Sequence, residues 1–375
     1  MYGQIRTSPT ERLDHPVSRA FAPVRIGSWE LPQSFVMAPL TRNRAGEGNA
    51  PTELNATYYA QRAGAGLIIT EGTAPSAVGQ GYLAVPGLYT DEQVEGWRLV
   101  AQEVHAAGGT IVAQLMHAGR NAHPDNKDGL ESISASAVAA PGEMVTAQGP
   151  KPHPTPRALE THEVPGVVED YVKAARNAVA AGLDGVEIHA ANGYLLHQFL
   201  DPTVNLRDDE FGGSPQARAQ LAVDVVTAVS EAIGADRVGL RISPAHAFNG
   251  IGELFGDDLD ATYTALVDGI VPLGIAYLSI LAHPHVDLVS HLRYRFGGSV
   301  MLNDGFGEVT TLAKVEGTLE TGLADAVVVG RPFLANPDLP QRWQQGADLN
   351  EPDQDTFYGG GAAGYTDYPT LEQAS

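Results

Sequence analysis

Short apolar runs recur along this chain with room for a helix between most neighbouring pairs, and that alternation limits the possible folds more than any other feature. The runs fall at residues 35–38, 67–70, 110–115, 185–188, 238–242, 276–281, 299–302 and 326–329, and each reads as a buried strand. Segments with helical periodicity lie between them at 53–65, 91–107, 167–181, 215–233, 259–273 and 308–321. The endings A-A-G, A-G-L-D-G and T-G-L-A-D supply Gly where a helix stops. Eight strands alternating with helices predict an α/β fold, a single parallel (β/α)₈ TIM barrel rather than an open sheet.

At 375 residues the chain has the length for one large barrel or two ordinary domains. No linker or break in composition divides it, so the reading is one domain over residues 21–375, preceded by a poorly ordered N-terminal arm over residues 1–20. The segments F-A-P-V-R-I-G and W-E-L-P-Q-S-F-V-M-A-P-L predict an N-terminal strand–turn–strand hairpin. The stretch from His117 to His162, rich in Ser, Ala, Pro and Gly, is too polar for a barrel helix and predicts a long excursion after the third strand.

Composition narrows the chemistry. Cysteine is absent, which excludes disulfides, iron–sulfur clusters and thiolate zinc sites. A formal net charge of -22 argues against nucleic acid or an anionic membrane as partner. Any phosphate must therefore be held locally, by backbone N–H groups and one or two arginines. The first residues lack the apolar segment of a signal peptide, and no apolar run has membrane-spanning length, so a soluble cytoplasmic protein is expected. His283, His285 and His291 have no nearby carboxylate pair, so no metal is expected there. The run G-G-G-A-A-G at 359–364 matches the dinucleotide fingerprint by letters, but no strand precedes it and no helix follows, and it reads as a flexible loop.

In such a barrel catalytic groups sit at the C-terminal ends of strands, and phosphate commonly binds after the seventh and eighth. The stretch E-I-H-A-A-N-G-Y-L-L-H-Q-F-L-D-P at 187–202 delivers His189, Asn192 and Tyr194 from the end of the fourth strand into one loop, with Gly193 turning the backbone between them. On this stretch alone, structural roles for the His and Tyr are the better reading. Asn303-Asp304-Gly305-Phe306-Gly307 follows the seventh strand and is read as opening a helix, where free N–H groups and the helix dipole favour an anion. Gly330-Arg331 after the eighth strand joins close backbone approach to a planar fork of donors. Either half alone reads as a turn with an ion pair; together in adjacent loops they read as a phosphate site. Arg241 at the end of the fifth strand needs a partner, and Gln114 and Thr41 add neutral polar groups at the same end.

These residues carry a resemblance. From about residue 21 to 369 the chain resembles the old yellow enzyme family of FMN-dependent ene-reductases. The motifs are A-P-L-T-R at 38–42, T-E-G-T at 70–73, A-Q-L at 113–115, H-A-A-N-G-Y-L-L-H-Q-F-L at 189–200 and N-L-R-D-D-E-F-G-G-S at 205–214. R-I-S-P at 241–244, G-R-P-F-L-A-N-P-D-L at 330–339 and Y-G-G-G-A-A-G-Y-T-D-Y-P at 358–369 complete the set.

The resemblance implies a tightly, non-covalently bound FMN, an NADPH or NADH donor and a small enone-type substrate. Thr41 would donate to the flavin ring, Pro39 and Ala74 would touch it through their backbones, and Gln114 and Arg241 would bind its pyrimidine edge. Gly305, Gly330 and Arg331 would hold the phosphate. His189 and Asn192 would bind the substrate carbonyl, and Tyr194 would donate the proton. Tyr82 and Tyr365 would line the pocket mouth. Many relatives carry a Trp where this chain has Met116, which shares a strand face with Gln114 and would widen the pocket. The competing readings are another FMN barrel oxidoreductase and a non-catalytic barrel that binds a phosphorylated ligand. A dienoyl-CoA reductase relative typically needs a Cys-bound cluster that this chain cannot build.

Overall fold

The structure, a computed structural model, describes residues 18–281 and 286–374. Eight parallel strands close into a barrel: β3 (Phe35–Met37), β4 (Ile68–Ile69), β5 (Ile111–Leu115), β10 (Gly185–Ala190), β11 (Val238–Ile242), β12 (Tyr277–Leu281), β13 (Val300–Asn303) and β14 (Ala326–Val329). β5 pairs with β10 and β14 with β3, so no edge is left open. All eight coincide with the apolar runs of the sequence. The hairpin strands β1 (Val24–Ile26) and β2 (Trp29–Leu31) precede the barrel. The excursion after β5 holds the paired β6 (Ile133–Ser134) and β9 (Arg157–Ala158), and the hairpin of β7 (Glu143–Thr146) with β8 (Gly149–Pro152).

Outside the barrel lie α1 (Glu53–Ala60), α2 (Asp91–Ala106), α3 (Val164–Ala180), α4 (Leu195–Leu200), α5 (Pro215–Ile233), α6 (Asp257–Ile270), α7 (Val286–Phe296), α8 (Leu312–Glu320), α9 (Pro332–Ala335), α10 (Leu339–Gln345) and α11 (Leu371–Ala374). No described helix is long and apolar enough to cross a membrane. Helix α7 was not expected. Its Leu288, Val289, Leu292 and Phe296 form a buried stripe at helical spacing, hidden in the sequence behind the loop-like H-P-H. His283 and His285 lie outside the described residues, while His291 on α7 bonds Thr264 through Nε2 at 3.1 Å.

Alternation along each strand sorts the side chains into two layers. Phe35, Met37, Ile111, Ala113, Leu115, Val186, Ile188, Leu240, Leu278 and Ile280 pack with the helices in one large cluster. Val36, Ala38, Leu67, Ile69, Val112, Tyr277, Met301, Ala326 and Val328 form a second cluster inside the barrel, together with Ile26 and Leu31 of the hairpin. The hairpin therefore stops the N-terminal end with apolar side chains. Toward the C-terminal end the same inward positions become polar: Gln114, Glu187, His189, Arg241, Ser279 and Asn303, all buried. That gradient is what places a polar site at one end of the barrel.

Residues 1–17 of the expected arm lie outside the described residues. Ser18–Ala20 do not behave as an arm: Ser18 Oγ and the Ala20 N–H donate to Glu316 of α8, and Ala20 is fully buried.

Candidate active site

The loop after β10 is held from behind by its neighbours. The Asn192 N–H donates to Ser243 Oγ (2.8 Å) and its carbonyl accepts from Asn249 Nδ2 (2.9 Å), both on the segment after β11. Asn192 and Asn249 each adopt a left-handed φ of 55°. A Cβ on Gly193 would collide with Asn249 Cβ and the Phe248 carbonyl, so only glycine lets these two loops approach. Below them, His197 Nδ1 accepts from the Gly193 N–H (3.1 Å), and its other nitrogen meets Tyr263 Oη (3.1 Å) and Glu253 (3.2 Å). This buried network fixes where Asn192 and Tyr194 stand. Sequence reading missed it because its members run from Asn192 to Tyr263 with no shared motif; the H-Q-F-L of the quoted stretch was its one visible trace.

Two of the three candidate catalytic side chains meet directly. The His189 and Tyr194 rings meet edge to face at 5.0 Å between centroids. His189 Nδ1 accepts from the Ala191 N–H (3.3 Å), which leaves Nε2 as the protonated nitrogen. Burial, with Arg241 and His197 nearby, holds the His189 pKa well below the usual histidine range, so the ring is a neutral donor. Burial pushes the Tyr194 phenol well above its usual range, reinforced by Tyr82, so it keeps its proton; a hydrogen bond from Asn249 acts the other way. The Tyr82 and Tyr194 hydroxyls lie 3.0 Å apart. Asn192 Oδ1 is buried with no partner among the described residues.

Met116, Ala118, Ala122 and Tyr194 form a small apolar cluster flanked by Tyr82. Met116 thus packs in one cluster with Tyr194, and its sulfur lies over Gly72. Tyr365 is a correction. It is fully buried away from this cluster, stacked on Tyr58 at 4.1 Å and lying under the guanidinium groups of Arg42 and Arg44. Tyr358, seven residues earlier, is the exposed tyrosine of the motif, and it is close enough to contribute to the raised phenol pKa of both Tyr82 and Tyr194. Both belong to the same C-terminal motif, and spacing alone did not separate them. The G-G-G-A-A-G loop is likewise clamped rather than flexible: Arg44 donates to the carbonyls of Gly361 and Ala363, and Arg42 to that of Gly364.

At the barrel's centre, Arg241 faces inward beside His189 on β10 and Ser279 on β12. Its Nε and Nη1, and Ser279 Oγ, are buried with no partner among the described residues. A buried cation with empty donors fits an anionic or carbonyl-rich ligand, such as the pyrimidine edge of a flavin. Gln114 lies on the same inner surface. Pro39 and Thr41 are half-buried in the loop after β3. Ala74 is less free than expected, because its N–H donates to Pro86 and its carbonyl accepts from Leu88.

Arg331 Nη2 donates to the Phe306 carbonyl, joining the loops after β13 and β14. A Cβ at Gly330 would meet only ordinary contacts, so packing does not demand glycine there. Gly305 does not open a helix, contrary to the expectation from sequence. Thr311 caps α8, which begins at Leu312, so Gly305 sits in a loop with φ 87° and its N–H faces Asn303 Oδ1 at 3.3 Å. The short α9 after Arg331 is the nearer helix start.

Residues 19–350 match the NADH:flavin oxidoreductase / NADH oxidase family. The chain belongs to that family. It is 40% identical over 359 residues to a probable flavin mononucleotide-dependent alkene reductase from Leishmania infantum, covering 93% of this chain and 96% of that protein. Among solved structures, an old yellow enzyme homologue from Zymomonas mobilis superposes with a TM-score of 0.89 at 40% identity, over 94% of this chain and 99% of the other. Morphinone reductase, also solved with tetrahydroNAD, gives 0.88 at 42% identity, over 95% and 97%. As a family member the chain is an FMN-dependent oxidoreductase reduced by a nicotinamide donor, and the resemblance read from its motifs holds.

Proposed function

We propose that this enzyme reduces the C=C bond of activated alkenes, α,β-unsaturated carbonyls above all. The observation that carries the reading is the edge-to-face contact of a neutral His189 with a protonated Tyr194, at the end of the loop that also carries Asn192, whose Oδ1 has no partner among the described residues. When bound, FMN supplies the hydride that reaches the substrate's β-carbon. The protein's part is to orient and polarise. His189 Nε2–H and the Asn192 amide bind the carbonyl oxygen and draw electron density from the alkene. Tyr194 stands at ring-contact distance from His189 to give its proton to the α-carbon, and Tyr82, 3.0 Å away, connects it to the mouth. Arg241 and Gln114 would hold the pyrimidine edge, Thr41 the ring, and Gly330 and Arg331 the phosphate. Met116 leaves space for bulky ring substituents. The protonation states suit this work: a neutral carbonyl needs a donor, and a phenol with a raised pKa delivers a proton only to a carbon made basic by hydride arrival.

Stopped-flow measurement of both half-reactions tests the reading. Tyr194→Phe should bind FMN and be reduced by NAD(P)H as the parent is, yet be reoxidised by 2-cyclohexenone roughly 10²–10⁴-fold more slowly. Equal reoxidation rates would remove Tyr194 from the mechanism.

A further inference from the structure

Glu187 is the inward-facing carboxylate at the centre of the barrel, fully buried on β10. Both of its oxygens are engaged: Oε1 accepts from Gln114 Nε2 (2.7 Å) and Oε2 from Tyr277 Oη (3.1 Å). The site is built for this contact. Gly239 lies between Glu187 and Tyr277 in register, and a Cβ there would fall inside the Tyr277 ring, so glycine lets the ring cross β11 to reach the carboxylate. Burial raises the Glu187 pKa above the usual carboxylate range, and Arg241, one layer higher on β11, leads the groups that oppose the rise, followed by the hydrogen bonds from Gln114 and Tyr277. A buried carboxylate costs several kcal/mol unless compensated, and a neutral side chain would fill the same space more cheaply. Its presence therefore points to a role other than stability.

Two consequences follow. With one Nε2 proton held by Glu187, the Gln114 amide cannot flip without setting its oxygen against a carboxylate, so its free carbonyl keeps one direction. The negative charge also offsets part of the Arg241 charge.

We propose that Glu187 is a positioning residue for the flavin's pyrimidine edge, fixing the Gln114 amide and lowering the flavin reduction potential by opposing Arg241. This rests on the flavin-site reading above and adds a residue to it. Reduction places negative charge on that edge, and a carboxylate behind it resists the change.

The test is the two-electron midpoint potential of parent, Glu187→Gln and Tyr277→Phe holoenzymes, measured against reference dyes during slow reduction. Glu187→Gln keeps the shape and removes the charge. It should favour the reduced flavin by about tenfold, a rise of ~30 mV for a two-electron couple. Tyr277→Phe leaves the charge and removes a donor to it, and should move the potential a smaller amount the other way. A merely structural role lowers flavin content or thermal stability and leaves both potentials at the parent value, which overturns the inference. Should Glu187→Gln fail to retain flavin, an unchanged potential in Tyr277→Phe overturns it alone. A parent protein that takes up no FMN defeats the flavin-site reading as well, so the two failures are told apart.

Discussion

Two arginines, Arg62 and Arg241, are both hidden from water and differ in what their guanidinium groups bind. Arg62, fully buried, spends its guanidinium on the protein: Nε donates to Phe333 O (2.7 Å), Nη1 to Tyr58 O (2.9 Å) and Nη2 to Leu334 O (2.9 Å), and the group lies 3.8 Å from the centre of the Tyr58 ring. Arg241 is buried too, yet Nε and Nη1 have no partner among the described residues. Burial lowers both pKa values from the usual arginine range, and only Arg241 has an adjacent carboxylate opposing that. Burial alone thus says nothing about function. Completeness of hydrogen bonding does, because a protein that leaves a buried cation unsatisfied carries a cost that a ligand removes.

Replacing each arginine should pull stability and binding in opposite directions. The largest effect is expected on cofactor affinity in Arg241→Met. Two charge-assisted hydrogen bonds at about 1.5–3 kcal/mol each imply FMN binding weaker by roughly 10²–10⁴-fold, read by fluorescence titration of apoprotein. The same apoprotein should be no less stable than the parent in urea, since an unpaired buried charge has been removed. A large loss of apoprotein stability would mean that Arg241 is structural after all.

Arg62→Met should do the reverse. The carbonyls of Tyr58, Phe333, Leu334 and Tyr365 lose their donor at about 1–3 kcal/mol each, so unfolding stability should fall by on the order of 4 kcal/mol or more, while the folded fraction binds FMN with parental affinity.

A smaller, pH-dependent effect is expected at Glu71, buried beside the same aromatic cluster. It accepts the N–H groups of Arg42 (3.0 Å) and Asn43 (3.3 Å), which anchor the loop carrying Thr41. Burial raises its pKa from 4.5 to about 7. A carboxyl with a raised folded pKa holds its proton in the native state after the unfolded chain has lost it. Its contribution is therefore full below pH 4.5 and fades as pH rises through 7. Urea midpoints at pH 4.5 and 7.5 should show Glu71→Gln losing less stability over that interval than the parent; identical slopes would remove Glu71 from the titration.

The smallest effect belongs to Tyr365→Phe, which deletes one hydrogen bond from Asn55 Nδ2 (3.2 Å). Stability should drop by about 0.5–1.5 kcal/mol with enone turnover unchanged, whereas Tyr358→Phe should alter the KM for the enone and leave stability alone. If Tyr365→Phe changes turnover instead, the division between the aromatic clamp and the pocket is drawn in the wrong place.

Much of this was legible in the residues. Every barrel strand announced itself, because strands buried on both faces cannot alternate with charge. His189, Asn192 and Tyr194 were legible because one short loop carries them all. What escaped were groups whose meaning lies in a distant partner. Glu187 stood in plain view in an apolar run, but its role depends on Gln114 and on Tyr277, 90 positions away. Tyr358 and Tyr365 sit seven letters apart in one motif, and the chain turns between them to face one outward and bury the other. The start of α8 moved from residue 308 to Leu312 because Thr311 supplies the cap.

The order of apolar and polar residues along the chain settled the barrel, its strands and the end that carries chemistry. Hydrophobic periodicity is local, and a strand or helix can be read from the residues it contains. Which buried polar groups find partners is decided by contacts such as that of Arg62 with the Tyr365 carbonyl, 303 positions along the chain. That saturation exists only once the chain has closed on itself, and it is what separates the arginine that holds the fold together from the one left free for a ligand.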